Sequence, residues 1–391
     1  MKWSPQQDQA LKDVDAWLNG SDEQVFRLFG YAGTGKTTLA KHLAESIASV
    51  AFAAFTGKAA HVLQQKGCQG ACTIHSLIYI PKGKSAERLR LMEQQFAATS
   101  PDNEKRREEL QRRIADEKEA LKSPSFVLNI DSPLLRTDLL IVDECSMVGE
   151  QMAEDLLHFG CKVLVLGDPA QLPPVHGTGY FTEHKPNVLL TEIHRQAADN
   201  PIIRMATDVR EGRVLQVGHY GDSQVTHEID EDVALGADQI IVGLNRTRHA
   251  VNKRMRELRG YAGDVPNTGE RLVCLRNESE LGLLNGSLWD VVEVHDDDDP
   301  VGMTLKPEDA KWHQYVEAHK ALFTGGEIDH WIRRDAQEFE YGYALTCHKS
   351  QGSQWNNVLL MDQSGSFPRH VQRRWLYTAV TRAAEKVTVK I

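Results

Sequence analysis

The sequence contains no apolar run approaching the ~18–20 residues that cross a bilayer, which excludes a transmembrane helix. Its start, Met1-Lys2-Trp3-Ser4-Pro5, has no apolar stretch of the signal-peptide kind, so the chain is expected to stay where it is made. Cysteine is scarce: six residues, at 68, 72, 145, 161, 274 and 347, of which only Cys68 and Cys72 are close. Without a second close pair there is no zinc-ligand set, and scattered thiols of this kind read as reduced and mostly buried. Positive charge is in deficit too. The 45 Lys and Arg against 55 Asp and Glu leave a net charge of −10. That argues against a uniformly basic nucleic-acid binder, but not against basic residues confined to one groove.

What is present is a chain of 391 residues, too long for one compact core, with the apolar and charged fractions of a globular protein. Ser4 caps and Pro5 opens a first helix with the stripe Leu11, Val14 and Leu18, ended by Asn19-Gly20. Short apolar strands are expected at 25–29, 50–55, 139–142, 163–166 and 188–190, with helical patterns between most of them. Apolar strands alternating with helices indicate a parallel sheet covered on both faces. The segment 85–122 breaks the rhythm. Leu89, Met92 and Phe96, a turn at Ser100-Pro101-Asp102-Asn103, then Leu110, Ile114 and Leu121 read as a charged helical hairpin. It is either a solvated structural arm or one that touches nucleic acid or a partner.

A second α/β pattern begins after Thr191, with a strand at 239–242 and a helix at 249–258. Between 267 and 334 short strands at 271–276, 287–295 and 302–305, separated by Gly282, Asn285-Gly286 and four aspartates at 296–299, fit a small β-barrel insertion. Those aspartates lack the interleaved Gly and distal Glu of a cation loop and read as a solvated turn. Strands at 341–346, 358–361 and 386–390 return to a parallel core. The expected fold class is therefore α/β with two cores, each interrupted once. Core one covers 1–78 and 125–190 around an arm at 79–124; core two covers 191–266 and 335–391 around an insertion at 267–334.

The most informative string is Gly30-Tyr31-Ala32-Gly33-Thr34-Gly35-Lys36-Thr37-Thr38, between a strand and a helix. Its glycines let backbone N–H groups fold around an anion; Lys36 supplies charge to the outer phosphates and Thr37 a hydroxyl for Mg²⁺. A nucleoside triphosphate is the expected ligand. The strand at 139–142 ends in Asp143-Glu144, and in a fold of this class such a strand is expected beside the cradle strand. Asp143 would then hold the metal and Glu144 deprotonate the attacking water, which argues for hydrolysis over a simple kinase. The strand at 163–166 ends in Gly167-Asp168-Pro169-Ala170-Gln171-Leu172-Pro173-Pro174-Val175, whose Gln171 amide suits a γ-phosphate sensor.

This ordered set resembles the superfamily 1 helicases of the 5′→3′, RecD/Dda-type branch. The matching segments include Phe55-Thr56-Gly57-Lys58-Ala59-Ala60, Thr73-Ile74-His75-Ser76, Asp143-Glu144-Cys145-Ser146 and Leu190-Thr191-Glu192-Ile193-His194-Arg195-Gln196-Ala197. They continue with Thr346-Cys347-His348-Lys349-Ser350-Gln351-Gly352-Ser353 and Tyr377-Thr378-Ala379-Val380-Thr381-Arg382-Ala383, so the set spans nearly the whole chain. The resemblance implies two RecA-like cores with ATP and Mg²⁺ at their interface, a helical arm in the first and an SH3-like barrel in the second. It implies that Gln7 contacts the adenine and that Arg195 and Arg382 reach the γ-phosphate as arginine fingers. It also implies that Thr56, Lys58, Thr73, His75, Ser76, Thr346, His348 and Ser350 face the nucleic-acid strand, with Asn245 and Arg246 adding phosphate contacts. The implied partners are single-stranded DNA and duplex junctions, and replication or repair proteins, for a monomer in the cytoplasm of a bacterium or phage-infected host. The implied activity is ATP-dependent unwinding, the alternative being movement on DNA without efficient unwinding. Two features depart from the family pattern: Gln354 stands where many relatives carry Glu, and the arm is helical where several relatives use a β-hairpin.

Overall fold

A computed structural model describes residues 3–81, 86–100, 103–122, 126–174, 179–192, 199–278, 281–295, 298–308, 310–326 and 336–391. The chain divides into two compact units, residues 75–135 and the remainder.

In the larger unit the first sheet joins β1 (Val25–Gly30), β2 (Val50–Ala54), β3 (Cys72–Thr73), β6 (Leu139–Asp143), β7 (Lys162–Gly167) and β8 (Val188–Leu190). The spatial order is β3-β2-β6-β7-β1-β8 and every pairing is parallel. β6 and β7 are buried almost throughout, which is why they read as unbroken apolar runs rather than alternating ones. One expectation is corrected here: β6 does not lie beside the cradle strand β1, because β7 stands between them. Apolar periodicity names strands but carries no information on their lateral order. The first helix, Pro5–Gly20, is fixed by a capping box in which Ser4 and Gln7 bond reciprocally. It buries Ala10, Val14 and Trp17 against this sheet, with Leu11 and Leu18 at the margin.

The second sheet holds β9 (Gly218–Tyr220), β10 (Ser223–Thr226), β11 (Gln239–Val242), β17 (Ala344–Thr346), β18 (Trp355–Met361) and β19 (Ala383–Lys390). Its order is β17-β11-β18-β19-β10-β9, parallel except for the edge strand β9. The third sheet is wholly antiparallel, β15-β14-β13-β12-β16, from β12 (Arg271–Cys274), β13 (Leu288–Val294), β14 (Val301–Pro307), β15 (Gln314–Ala318) and β16 (Phe339–Tyr341). The strand expected at 341–346 is thus two strands. β16 closes the antiparallel sheet, and after Gly342 and Tyr343 the chain re-enters the parallel sheet as β17. A Cβ on Gly342 would lie 2.9 Å from the Leu272 backbone, so this crossing requires glycine.

The smaller unit is the expected helical hairpin, Ala86–Ala98 and Glu104–Lys122, closed by a two-stranded antiparallel ribbon of β4 (Tyr79–Pro81) and β5 (Phe126–Leu128) that the sequence did not announce. Leu89, Met92 and Leu110 are buried, while Ile114 is half-exposed. The Leu121 side chain, the turn at Pro101 and Asp102, and the aspartates 296 and 297 lie outside the described residues. Among the described residues no helix is long and apolar enough to cross a membrane. All six cysteines are free thiols, and five of them are buried.

Candidate nucleotide and nucleic-acid site

The functional groups gather at the carboxyl ends of β1, β6 and β7, where an open α/β sheet binds its ligands. β1 ends at Gly30, and a Cβ there would lie 2.5 Å from Thr34 Oγ1. The cradle then turns through Gly33 (φ 79°) and Gly35 (φ 77°), a left-handed backbone that disfavours other residues, and the helix Lys36–Ala44 begins directly after. Lys36 Nζ donates to the carbonyls of Gly30 at 2.6 Å and Tyr31 at 3.2 Å, so its ammonium lies over the loop. Thr34 is buried and its hydroxyl donates to Tyr31 O; Thr38 is exposed on the first helical turn.

Across β7 from the cradle, β6 presents the two carboxylates. Thr37 Oγ1 donates to Asp143 Oδ2 at 3.0 Å. A hydroxyl beside a single carboxylate is a donor set that Mg²⁺ takes when substrate phosphate and water complete its shell, so these residues fit that ion. Glu144 has φ 52°, the one left-handed non-glycine residue among those described, and its N–H donates to Asp143 Oδ1 at 2.8 Å. Such strain costs of order 1–3 kcal/mol and persists where the surroundings enforce it. Burial pushes the Glu144 carboxyl above its ordinary range and Asp143 adds to the effect, while Arg382 and Lys36 oppose it. A carboxylate tuned upward in this way is the better proton acceptor.

From β7 come Asp168 and Gln171. Gln171 is 9 % exposed, and its Oε1 is a buried acceptor with no partner among the described residues. An orphaned acceptor of this kind suits a water or hydroxyl group as its missing donor. Asp168 is 2 % exposed and its carboxyl is also pushed up by burial, against the pull of Lys36 and a hydrogen bond from Tyr377.

That tyrosine comes from the helix Arg369–Val380, which packs on the second sheet. Its Oη donates to Asp168 Oδ2 at 2.6 Å and accepts from the Ala32 N–H at 3.0 Å. Next to it, Thr378 Oγ1 accepts from Leu172 N at 2.9 Å, and Gln351 Nε2 donates to Leu172 O at 2.9 Å. Leu172 itself is fully buried in the second core's apolar cluster, against which Ala32 and Ala170 also pack. Arg382 is 5 % exposed and, among the described residues, held by neutral acceptors: the carbonyls of Thr378 at 3.1 Å and Ser353 at 3.2 Å, and Thr381 Oγ1 at 3.3 Å. With no carboxylate among those acceptors, its charge is available to the cleft and is felt by Glu144. The cleft thus has one wall from each parallel sheet.

An AAA domain family model matches residues 2–231, and a UvrD-like helicase C-terminal domain model matches residues 341–389. The chain is 29 % identical over 394 aligned positions to the ATP-dependent RecD2 DNA helicase of Deinococcus radiodurans, covering 92 % of this chain and 46 % of that protein. The chain belongs to the AAA domain family and is of the superfamily 1B helicase type. It is also 32 % identical over 200 residues to the ATP-dependent DNA helicase dda of phage T4, covering 47 % of this chain and 37 % of that one. Among solved structures, a Pif1 helicase from Bacteroides in complex with ADP-AlF3 and single-stranded DNA aligns over 100 % of this chain and 93 % of that one. The TM-score is 0.57 at 18 % identity, a likeness of fold. The chain spans about half the length of the Deinococcus relative. Membership of this family implies nucleotide binding.

The residues matched to the helicase pattern take the following places. Arg195 lies outside the described residues. Gln7, matched to the adenine contact, is 2 % exposed; its Oε1 accepts from Ser4 N and its Nε2 donates to Thr34 O at 3.1 Å, which ties the first helix to the cradle. Its neighbour Gln6, which the motifs did not single out, accepts from the N–H groups of Thr191 and Glu192. Thr56 caps the helix Gly57–Gln65 and Lys58 pairs with Glu308 at 3.8 Å. Thr73 and Thr346 are largely buried at their strand ends, whereas Asn245 and Arg246 are exposed on the first turn of the helix Asn245–Leu258. His348 is half-buried, and burial lowers its pKa, so near neutral pH it offers a hydrogen bond rather than a charge.

Ser350 is a correction: it is fully buried and its hydroxyl donates to Cys347 O at 2.8 Å, so no strand can reach it. The turn after β17 points it inward, which a motif match does not reveal. In the smaller unit, His75 lies edge-on to Phe126 (4.2 Å between centroids) and against Tyr79, with burial lowering its pKa; Ser76 is exposed. The residues that the motifs passed over are Asp168, Leu172, Gln351, Tyr377 and Thr378. Each lies inside a recognised string, and what joins them is contact between strings more than 170 residues apart.

Proposed function

We propose that the chain hydrolyses ATP and uses the cycle to move 5′→3′ along single-stranded DNA and separate duplex. The observation that carries this reading is the Tyr377 hydroxyl, which reaches from the second core to both the cradle N–H of Ala32 and the Asp168 carboxylate. A nucleotide in this cleft would be in the path of relative motion between the two cores.

In this reading Lys36 and the N–H groups of the cradle bind the phosphates. Thr37 and Asp143 would hold Mg²⁺, which supplies charge neutralisation when bound. Glu144 accepts the proton of a water oriented with help from Gln171 Oε1. The water oxygen bonds to the γ-phosphorus, the bond to the β–γ bridging oxygen breaks, and ADP and inorganic phosphate result. Arg382, with Arg195 by family resemblance, offsets charge on the transferring group. Gln7 is assigned the adenine edge of the site. The strand is assigned to the exposed Asn245 and Arg246, and to Thr56, Lys58, Thr73, Thr346 and His348; His75 and Ser76 serve from their own unit. Contacts of this kind grip backbone without reading sequence. The two cores, the arm and the barrel insertion are assigned the domain limits given above, with the insertion extended to Tyr341 on the pairing of β16.

The test is ATP hydrolysis with and without single-stranded DNA, followed by fork substrates carrying a 5′ or a 3′ tail. Stimulation by DNA and strand release from the 5′-tailed fork alone are expected. A rate indifferent to DNA overturns the motor reading, and stimulation without release leaves a translocase.

A further inference from the structure

Beside the nucleotide cleft lies a cavity of about 200 Å³ whose lining includes Tyr31, Ala170, Arg210, Arg373, Arg374 and Tyr377. It borders the cradle at Tyr31, not at Lys36 or Thr37, so it adjoins the triphosphate seat without being part of it. Three guanidiniums converge on it. Arg210, at the end of the helix Pro201–Arg210, stacks over the Tyr31 ring with 3.8 Å from its central carbon to the centroid. Arg373 passes so close over Gly212 that a Cβ there would lie 2.9 Å from its Nη2. Gly212 follows that same helix's C-terminus, where a cation is favoured.

The charge is poorly compensated. Arg210 has a loose contact with Glu211, at 3.4 Å. Arg373 and Arg374 have no carboxylate partner among the described residues, although the whole chain carries net charge −10. Exposed arginines normally find acidic neighbours on so acidic a protein. A pocket lined by three forked donors and by no carboxylate, with Glu211 loosely against only one of them, is suited to a small multivalent oxyanion. Asp168 is not part of the lining, and its Oδ2 accepts from the Tyr377 hydroxyl.

From this geometry we infer that the Arg210–Arg373–Arg374 pocket is a binding site for inorganic phosphate, holding the product after it leaves the cradle. The inference rests on the ATPase reading for the origin of that phosphate, not for its binding. Its position at the junction of Tyr31 from the first core and the helix Arg369–Val380 from the second would couple phosphate departure to separation of the two walls. The bound anion bridges guanidiniums of the second core beside the cradle of the first, and its loss removes that bridge.

The test is a ³¹P NMR titration of inorganic phosphate into the nucleotide-free full chain carrying Lys36→Ala, which takes away the cradle's ammonium. Phosphate is expected to bind this variant, and adding Arg373→Gln with Arg374→Gln is expected to weaken binding at least tenfold. Arg213→Gln, an arginine already paired with Asp208 and Glu211, serves as a control expected to bind as before. Arg374→Lys, which keeps the charge but not the fork, is expected to fall between, and guards against a folding defect in the double variant. No binding by the Lys36→Ala protein, or equal affinity after loss of both arginines, overturns the proposal. Displacement of the phosphate by a deoxythymidine oligomer assigns the cluster to DNA backbone and overturns it equally. Failure of the ATPase reading would show instead as absent DNA-stimulated hydrolysis in the wild type, which this titration does not use.

Discussion

Tyr377 Oη and Asp168 Oδ2 lie 2.6 Å apart, joining a helix on the second sheet to the end of a strand in the first. Tyr377 is 1 % exposed and burial pushes its phenol upward, so it stays a donor at any physiological pH. Tyr377→Phe keeps the ring and removes the bond. Leaving the buried Asp168 without this donor is expected to lower stability by about 1–3 kcal/mol. Denaturant midpoints at neutral pH read the loss, and an unchanged midpoint would mean that the cores are not joined there.

Lys36→Ala and Glu144→Gln are both expected to abolish turnover, by at least ~10²-fold, since one removes the phosphate ligand and the other the proton acceptor. Only the glutamine variant should still bind a fluorescent ATP analogue. Measurable steady-state hydrolysis by purified Glu144→Gln would remove that residue from the chemistry.

The raised Glu144 pKa has a consequence for stability. A carboxyl whose folded pKa lies above its unfolded value favours folding below the unfolded value of 4.5, and that contribution is lost as pH rises through the folded one. Glu144→Gln, permanently neutral, is therefore expected to be more stable than wild type at pH 8, with the gap closing toward pH 4. Unfolding midpoints across that range test it. The same shift places the acidic limb of the kcat/KM profile, which reports the nucleotide-free protein, above the ordinary carboxylate range.

Arg248, 3 % exposed on the helix Asn245–Leu258, pairs with Glu340 of β16 and so ties the parallel sheet's helix to the antiparallel sheet. Burial pushes Glu340 up, but the Arg248 hydrogen bond and the charges of Lys349 and Arg248 outweigh it, and the net shift is downward. Arg248→Met is expected to cost about 3 kcal/mol by leaving that carboxylate only the longer Lys349 contact at 3.8 Å, and Arg248→Met with Glu340→Gln to recover part of it. A double-mutant cycle in urea measures the coupling, which should weaken as pH falls through the folded pKa of Glu340.

Much of the cradle was legible in the sequence, because its chemistry is local. Gly33 and Gly35 take left-handed turns, Lys36 folds over the loop, and Thr37 needs only one turn of helix to be placed. The strands were legible for a similar reason: residues buried on both sides of a sheet must be apolar in succession. Their ends were less so. β16 and β17 looked continuous because an antiparallel and a parallel strand can share the same apolar run, and only the partners of Phe339 and Ala344 separate them.

The sequence by itself determined the glycine-rich cradle and the carboxylate pair at the end of a strand, since strand, turn and helix N-terminus are fixed within a few residues. Only the tertiary structure decided that β7 intervenes between β1 and β6, that Ser350 turns inward, and that Leu172 seats in the second core. It also decided that Tyr377 meets Asp168 and Ala32. Those facts depend on contacts between segments far apart in the chain, and neither hydrophobic period nor motif spacing encodes which distant surfaces will meet.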